Sequence, residues 1–238
     1  MNVIALKEGD FSVSKNKEFY GIDDFPGGLR MAIQPFLVVT DDDFILLDAG
    51  LGFTINGKPQ IHHLLEQQNV QPYQISKILI SHFHKDHVDG LGRIENDLFV
   101  PNFPNASLFY QPRELEAAFS DRQNPSYDFE KLRHIALLPN LSPLDADEGK
   151  IGNTVSYAVS GGHTRFHQEF WIRENAETIF YGADNLPQKS YIDFNIAYKS
   201  DDDGKKAAAL RHDWKARAEA EHWKVLLYHD MAFPIVQF

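Results

Sequence analysis

His82-Phe83-His84-Lys85-Asp86-His87 puts four side chains able to ligate a metal within six consecutive residues. A neutral imidazole offers a nitrogen lone pair and is the commonest transition-metal ligand. An aspartate adds a hard oxygen and a negative charge. His82 and His84 stand two apart, so an extended backbone points both the same way. Asp86 and His87 lie past a turn and can face a second position beside the first. Each zinc takes about four ligands, one position being kept for water, so four side chains do not complete two sites. The rest must come from distant segments. His163 in Ser160-Gly161-Gly162-His163-Thr164, Asp184 in Phe180-Tyr181-Gly182-Ala183-Asp184, and His229 bring the count to seven.

These residues need rigid carriers, and the pattern supplies them. Pro35–Thr40 and Phe44–Asp48 are apolar, β-favouring runs separated by three aspartates, which predicts a hairpin. Its second strand ends at Asp48-Ala49-Gly50. Lys77–Ser81 is a short buried strand that runs straight into His82. Further strands are expected at 106–110, 155–160, 168–173 and 177–182, and Lys224–Tyr228 as the last. Helices are expected at 60–69, 112–120, 126–137 and 203–222, with a helix or turn from Val88 to Ile94. Loops are expected at 19–34, 101–150 and 185–205. Ligand-type residues therefore recur where strands end: Asp48, His82, Asp184 and His229. A strand end is held by the sheet yet open to solvent. His62, His63, His134, His212 and His222 are placed on helices away from the site. The acidic runs Asp41–Asp43 and Asp201–Asp203 read as solvated turns.

His82-x-His84-x-Asp86-His87, with Leu47-Asp48-Ala49-Gly50, Gly162-His163-Thr164, Gly182-Ala183-Asp184 and His229 in that order, resembles the metallo-β-lactamase fold superfamily. The resemblance implies one domain over 1–238: an αββα sandwich of two mixed β-sheets flanked by helices. It implies two divalent metal ions per chain, Zn2+ first and Mn2+ or Fe as alternatives. His82, His84 and His163 would bind one, and Asp86, His87 and His229 the other. Asp184 would bridge them, and Asp48 would hydrogen-bond a ligand from behind. The spacing resembles the lactonase and organophosphate-hydrolase-like branch. Two departures stand out. Arg165-Phe166 follows Gly162-His163-Thr164 where many members have Pro-Gly, and Pro187 stands where lactonases commonly carry a tyrosine. Arg165 is a candidate for a substrate carboxylate or phosphate, and His167 a candidate to approach the site.

The reaction implied is hydrolysis of a small-molecule ester or lactone by a metal-activated water, with Asp86 and Asp184 as the catalytic carboxylates. Phosphodiester or organophosphate hydrolysis, oxygen chemistry at a single iron, and non-catalytic ligand binding are the alternatives. Composition narrows the rest. The absence of cysteine excludes disulfides, thiolate nucleophiles and cysteine metal ligands. A net charge of −11 argues against a broad grip on nucleic acid. No apolar run of about 18 residues is present, and the first residues lack a signal-peptide core, so the expected location is cytoplasmic. The oligomeric state is left open.

Overall fold

The two strands of the expected hairpin are apolar at every position because both of their faces are covered. In this computed structural model, which describes residues 1–96 and 98–238, Phe36–Val39 and Phe44–Leu47 pair antiparallel, Phe36 opposite Leu47. Phe36, Val38, Ile45 and Leu47 enter a core shared with the second sheet, whereas Leu37 and Leu46 pack on the opposite face with Ile61, Leu65 and Leu132. Successive strand residues point to opposite faces, so this split follows directly from the sequence. Each such side chain contributes roughly 1.5–3 kcal/mol on burial.

The first sheet has six strands in the order Asn2–Ala5, Phe36–Val39, Phe44–Leu47, Lys77–Leu79, Ser107–Tyr110 and Leu141–Pro143. Its last four run parallel. The second sheet, also of six strands, follows the order Glu148–Ile151, Val155–Val159, Gln168–Glu174, Glu177–Tyr181, Lys224–Leu226 and Ile235–Gln237. Helices Gln60–Gln67, Pro112–Ser120 and Phe129–Ile135 supply the outer layer of the first sheet. Helix Gly204–Glu221 covers the second with Ala207, Arg211, Trp214 and Ala218, which share one helical face. The expected αββα sandwich is the observed architecture.

Several local expectations need correction. Lys224–Leu226 is not the last strand, because Ile235–Gln237 pairs antiparallel with it. The expected loop 19–34 contains two strands, Phe19–Gly21 and Leu29–Ile33, both paired with Gly9–Val13 in a small three-stranded sheet. Phe19–Gly21, with three residues, carries too short a pattern to be read alone. The segment expected as loop 185–205 includes a helix, Lys189–Phe194. The expected loop 101–150 holds the edge strand Leu141–Pro143 as well as the expected helices. The helix or turn expected from Val88 is a helical turn at Lys85–Val88, a 3-10 turn at Asp89–Leu91, and then a strand at Gly92–Glu95.

Strand direction explains where the ligand-type residues gather. Val155–Val159 is antiparallel to Gln168–Glu174, which is antiparallel to Glu177–Tyr181, which is parallel to Lys224–Leu226. The three strands preceding His163, Asp184 and His229 therefore point the same way, and their ends meet one edge of the sandwich. Phe44–Leu47 and Lys77–Leu79, which precede Asp48 and His82, deliver their ends to that edge too. The Tyr181 hydroxyl donates to Asp48 Oδ2 at 2.5 Å, and the Gln168 amide donates to the Ser81 carbonyl at 3.0 Å, tying one sheet to the other there.

One outward-facing residue of the second sheet yields a pH prediction. Glu169 lies buried beneath helix Gly204–Glu221, and burial pushes its carboxyl up to about 8, against hydrogen bonding from Ser160 and the charges of Lys206 and Arg217. A raised carboxyl stays protonated in the fold while the unfolded chain ionises near 4.5. Its stabilising contribution is thus complete below that value and is lost as pH rises through about 8. Each pKa unit is worth about 1.4 kcal/mol. Glu169→Gln is expected to flatten the fall in urea-unfolding stability between pH 5 and pH 9 by a few kcal/mol at most. An unchanged slope would show that Glu169 ionises freely in the fold.

Among the described residues, no helix is long and apolar enough to cross a membrane.

Candidate metal centre

His82 and His84 come from the extended segment after Lys77–Leu79, and Asp86 and His87 from the helical turn Lys85–Val88. His163 follows two glycines in left-handed conformation, Gly161 and Gly162. At Gly162 (φ +96°) an added Cβ would meet Asn185 Oδ1 at 2.5 Å, and that oxygen accepts the His163 amide at 2.7 Å. Asp184 sits in a 3-10 turn after Glu177–Tyr181, beside Ala183 at φ +41°. His229 follows Tyr228, whose ring stacks on His87 at 4.1 Å and whose hydroxyl donates to the Asp86 carbonyl at 2.7 Å.

The seven residues converge as two groups, His82, His84, His163 and Asp184, and Asp86, His87 and His229, each with ligand atoms within 4.8 Å of one another. Asp184 faces both. Its Oδ2 lies 3.2 Å from His163 Nε2 and 4.0 Å from His82 Nε2. Its Oδ1 lies 3.2 Å from His87 Nε2 and 3.0 Å from His229 Nε2. Asp86 Oδ2 lies 3.5 Å from His229 Nε2 and 3.7 Å from His87 Nε2.

The outward nitrogens of the rings fix what the inward ones present. His87 Nδ1 lies 2.7 Å from Asp48 Oδ2, His163 Nδ1 3.0 Å from Asp201 Oδ1, and His229 Nδ1 2.8 Å from the Ala32 carbonyl. Each acceptor requires the proton on Nδ1, which in the neutral ring leaves a lone pair on Nε2. The Ser81 hydroxyl donates to Asp48 Oδ2 at 2.6 Å and so is free to accept from His82 Nδ1 at 3.0 Å. The centre is thus a convergence of nitrogen and carboxylate lone pairs. His87 Nε2 and Asp184 Oδ1 are both buried without a hydrogen-bond partner. Lone pairs facing lone pairs are unfavourable unless a proton or cation lies between them. The donor set therefore fits divalent metal ions.

The carboxylates call for positive charge at the centre, and the rings divide in how they answer it. Burial, with the charges of neighbouring histidines, holds His82 and His84 well below the usual histidine range. Burial also works against protonation of His87, but Asp184, Asp86 and Asp48 outweigh it and hold that ring well above its usual range. Burial alone would raise the Asp184 carboxyl, yet His229, His87 and His163 keep it well below the carboxylate range.

Asp48 is fully buried and accepts from Ser81 N at 2.8 Å besides Ser81 Oγ, Tyr181 and His87. Several contributors were not picked out from the sequence. Tyr181 shares the inward face of its strand with Ile179, so alternation was a usable signal. Asp201 belongs to an acidic run that reads as a solvated turn, yet its side chain is turned onto His163. Asn185 bonds the His163 amide, the Gly161 carbonyl and Ser160 Oγ, at 2.7, 2.6 and 3.0 Å, and nothing local in the sequence announces it. His167 is fully buried with its ring 5.2 Å from that of His82, and it belongs to neither ligand group. His62 contacts the Asn102 carbonyl and His134 stacks on Phe99, away from the site.

Two cavities meet at the centre. One of about 90 Å3 is walled by Val13, Phe19, Leu29, Met31 and Pro187, with Lys17 and Lys85 also lining it. The other, a cleft of about 740 Å3, is lined by His84, Tyr127, His163, Arg113, Arg165 and Phe166 among others. Both arginines lie over the Phe166 ring, at 4.8 and 5.5 Å.

Residues 31–224 match the family model described as the metallo-beta-lactamase superfamily. No curated protein matches the chain by sequence. Among solved structures, a probable metal-dependent hydrolase from Staphylococcus aureus aligns over 99% of this chain and 91% of its own, with TM-score 0.80 and 17% identity. The hydrolase AbOPH of the beta lactamase superfamily aligns over 99% and 89%, with TM-score 0.76 and 22% identity. AidC, a dizinc quorum-quenching lactonase in complex with its product, aligns over 87% and 75%, with TM-score 0.70 and 22% identity. At these identities the likeness is one of fold.

Proposed function

Because the chain belongs to the metallo-beta-lactamase superfamily, we propose that the cluster at the sandwich edge is a two-metal hydrolytic site for a small-molecule ester or lactone. The observation that carries this reading is Asp184, whose two oxygens face two separate ligand groups. A pair of divalent ions in such a site lowers the pKa of bound water to about 7. His82, His84, His163 and Asp184 would hold one ion, and Asp86, His87, His229 and Asp184 the other. Asp86 Oδ2, on the wall of the smaller cavity, would orient the attacking water or accept its proton. Val13, Phe19, Leu29 and Met31 offer an apolar wall to an acyl portion, which favours a carboxylic ester over a wholly polar substrate. Lys17, Lys85 and Arg165 favour a second reading, phosphodiester or organophosphate hydrolysis, in which they bind a phosphate oxygen.

Metal analysis of protein purified without chelator or metal-affinity resin tests this. Two zinc or manganese ions per chain are expected, with ester or lactone turnover lost on chelation and restored by Zn2+ or Mn2+. A single iron would point to oxygen chemistry instead. Bound ligand without turnover at full metal loading would leave a binding protein.

A further inference from the structure

One histidine of each ligand group is fixed from behind by a carboxylate, and the two carboxylates are held differently. Behind His87 stands Asp48, fully buried and held by Ser81 and Tyr181 as well. Behind His163 stands Asp201, at 3.0 Å, with His163 as its one side-chain hydrogen-bond partner among the described residues. It borders both cavities. Asp201 reaches His163 from the segment between helices Lys189–Phe194 and Gly204–Glu221. That segment is docked by Asp202 N to the His163 carbonyl (3.1 Å), Asp203 N to the Gly162 carbonyl (2.8 Å), Arg211 Nη2 to the Ile196 carbonyl (2.6 Å), Arg211 Nε to Asn195 Oδ1 (3.3 Å) and the stacking of Tyr198 on Tyr191 at 4.3 Å, all on the outer layer rather than in the sandwich interior. The sandwich core therefore orients His87, while an appended strap orients His163.

We propose that Asp201 is the positioning residue for His163 and that the strap makes the metal position of His82, His84 and His163 the weaker of the two. The inference rests on the two-metal reading above. The physical ground is tautomer and aim. A carboxylate on Nδ1–H keeps the lone pair on Nε2 and raises its basicity, and removing such a partner typically lowers metal affinity 10–100-fold. Asp201 is 38 residues from His163 in sequence, so its hold on the ring depends on strap docking.

Competition titration of the zinc-loaded protein with a chromophoric chelator reads both positions at once. The wild type is expected to release its ions in two steps. Asp201→Ala should weaken the looser step by about 10–100-fold and leave the tighter step within about twofold. Asp201→Asn, which keeps an acceptor oxygen, should recover most of that loss. Cobalt-substituted protein adds a spectroscopic check, since only one of two d–d envelopes should change in Asp201→Ala. Equal weakening of both steps, or no weakening in a variant with wild-type circular dichroism, overturns the assignment. A single-step release in the wild type overturns the asymmetry. Wild-type protein that holds no metal would instead refute the two-metal reading itself, and this inference with it.

Discussion

Asp184→Asn is expected to lower turnover by about 10³-fold or more, beyond the 10²–10³ typical of losing one preorganised electrostatic group. The substitution keeps the side-chain shape and removes the charge that both ligand groups face. Asp184 Oδ2 lies 3.2 Å from His163 Nε2, and Oδ1 lies 3.0 Å from His229 Nε2. An amide places an N–H donor on one of those two sides, where a cation should sit. Both metal positions are therefore affected, so ion content should fall together with activity. The check is metal content and turnover on the same preparation, beside His163→Ala, which should empty one group first. Wild-type metal content with lost activity would restrict Asp184 to a later step. Unchanged activity would remove it from the mechanism.

Asp48→Ala is expected to lose stability on the order of 3–5 kcal/mol, the scale of breaking a buried charged pair. Asp48 accepts from Ser81 N, Ser81 Oγ, His87 Nδ1 and Tyr181 OH, all in the sandwich interior. Each donor stranded without water costs about 1–3 kcal/mol, partly recovered by rearrangement. Asp48 also holds φ +55°, a conformation that aspartate and asparagine tolerate better than alanine. Asp48→Asn therefore separates the effects: it keeps the backbone preference and loses the charge behind His87. In that variant stability should fall less, while affinity for metal at the His87 group drops by roughly 10–100-fold. Urea unfolding and a metal titration on both variants decide the matter. An Asp48→Ala protein as stable as wild type would mean that its four donors find other partners.

Residue type and spacing alone mark which side chains could ligate a metal, and they carry most of the scaffold. Six residues held four candidate ligands, and the hairpin Phe36–Val39 with Phe44–Leu47, the strand Lys77–Leu79 and the helix Pro112–Ser120 were legible because their pattern is local. Period-2 and period-3.6 apolar repeats are fixed by backbone geometry, so no tertiary information is needed to see them. The four strand ends that bear ligand-type residues were legible for the same reason. Tertiary structure alone decided what stands behind each ligand. Asp201 sat in an acidic run that reads as a solvated turn, and only docking of the 195–203 segment turns it onto His163. Asn185 became a tie between two ligand loops because Gly162 leaves space for its oxygen. The short strands Phe19–Gly21 and Leu29–Ile33 were hidden because their stability comes from pairing with Gly9–Val13 rather than from their own pattern. These strands wall the small cavity with Phe19, Leu29 and Met31. Ligand identity is a property of residue type and spacing, whereas orientation and pocket shape depend on contacts between segments far apart in the chain.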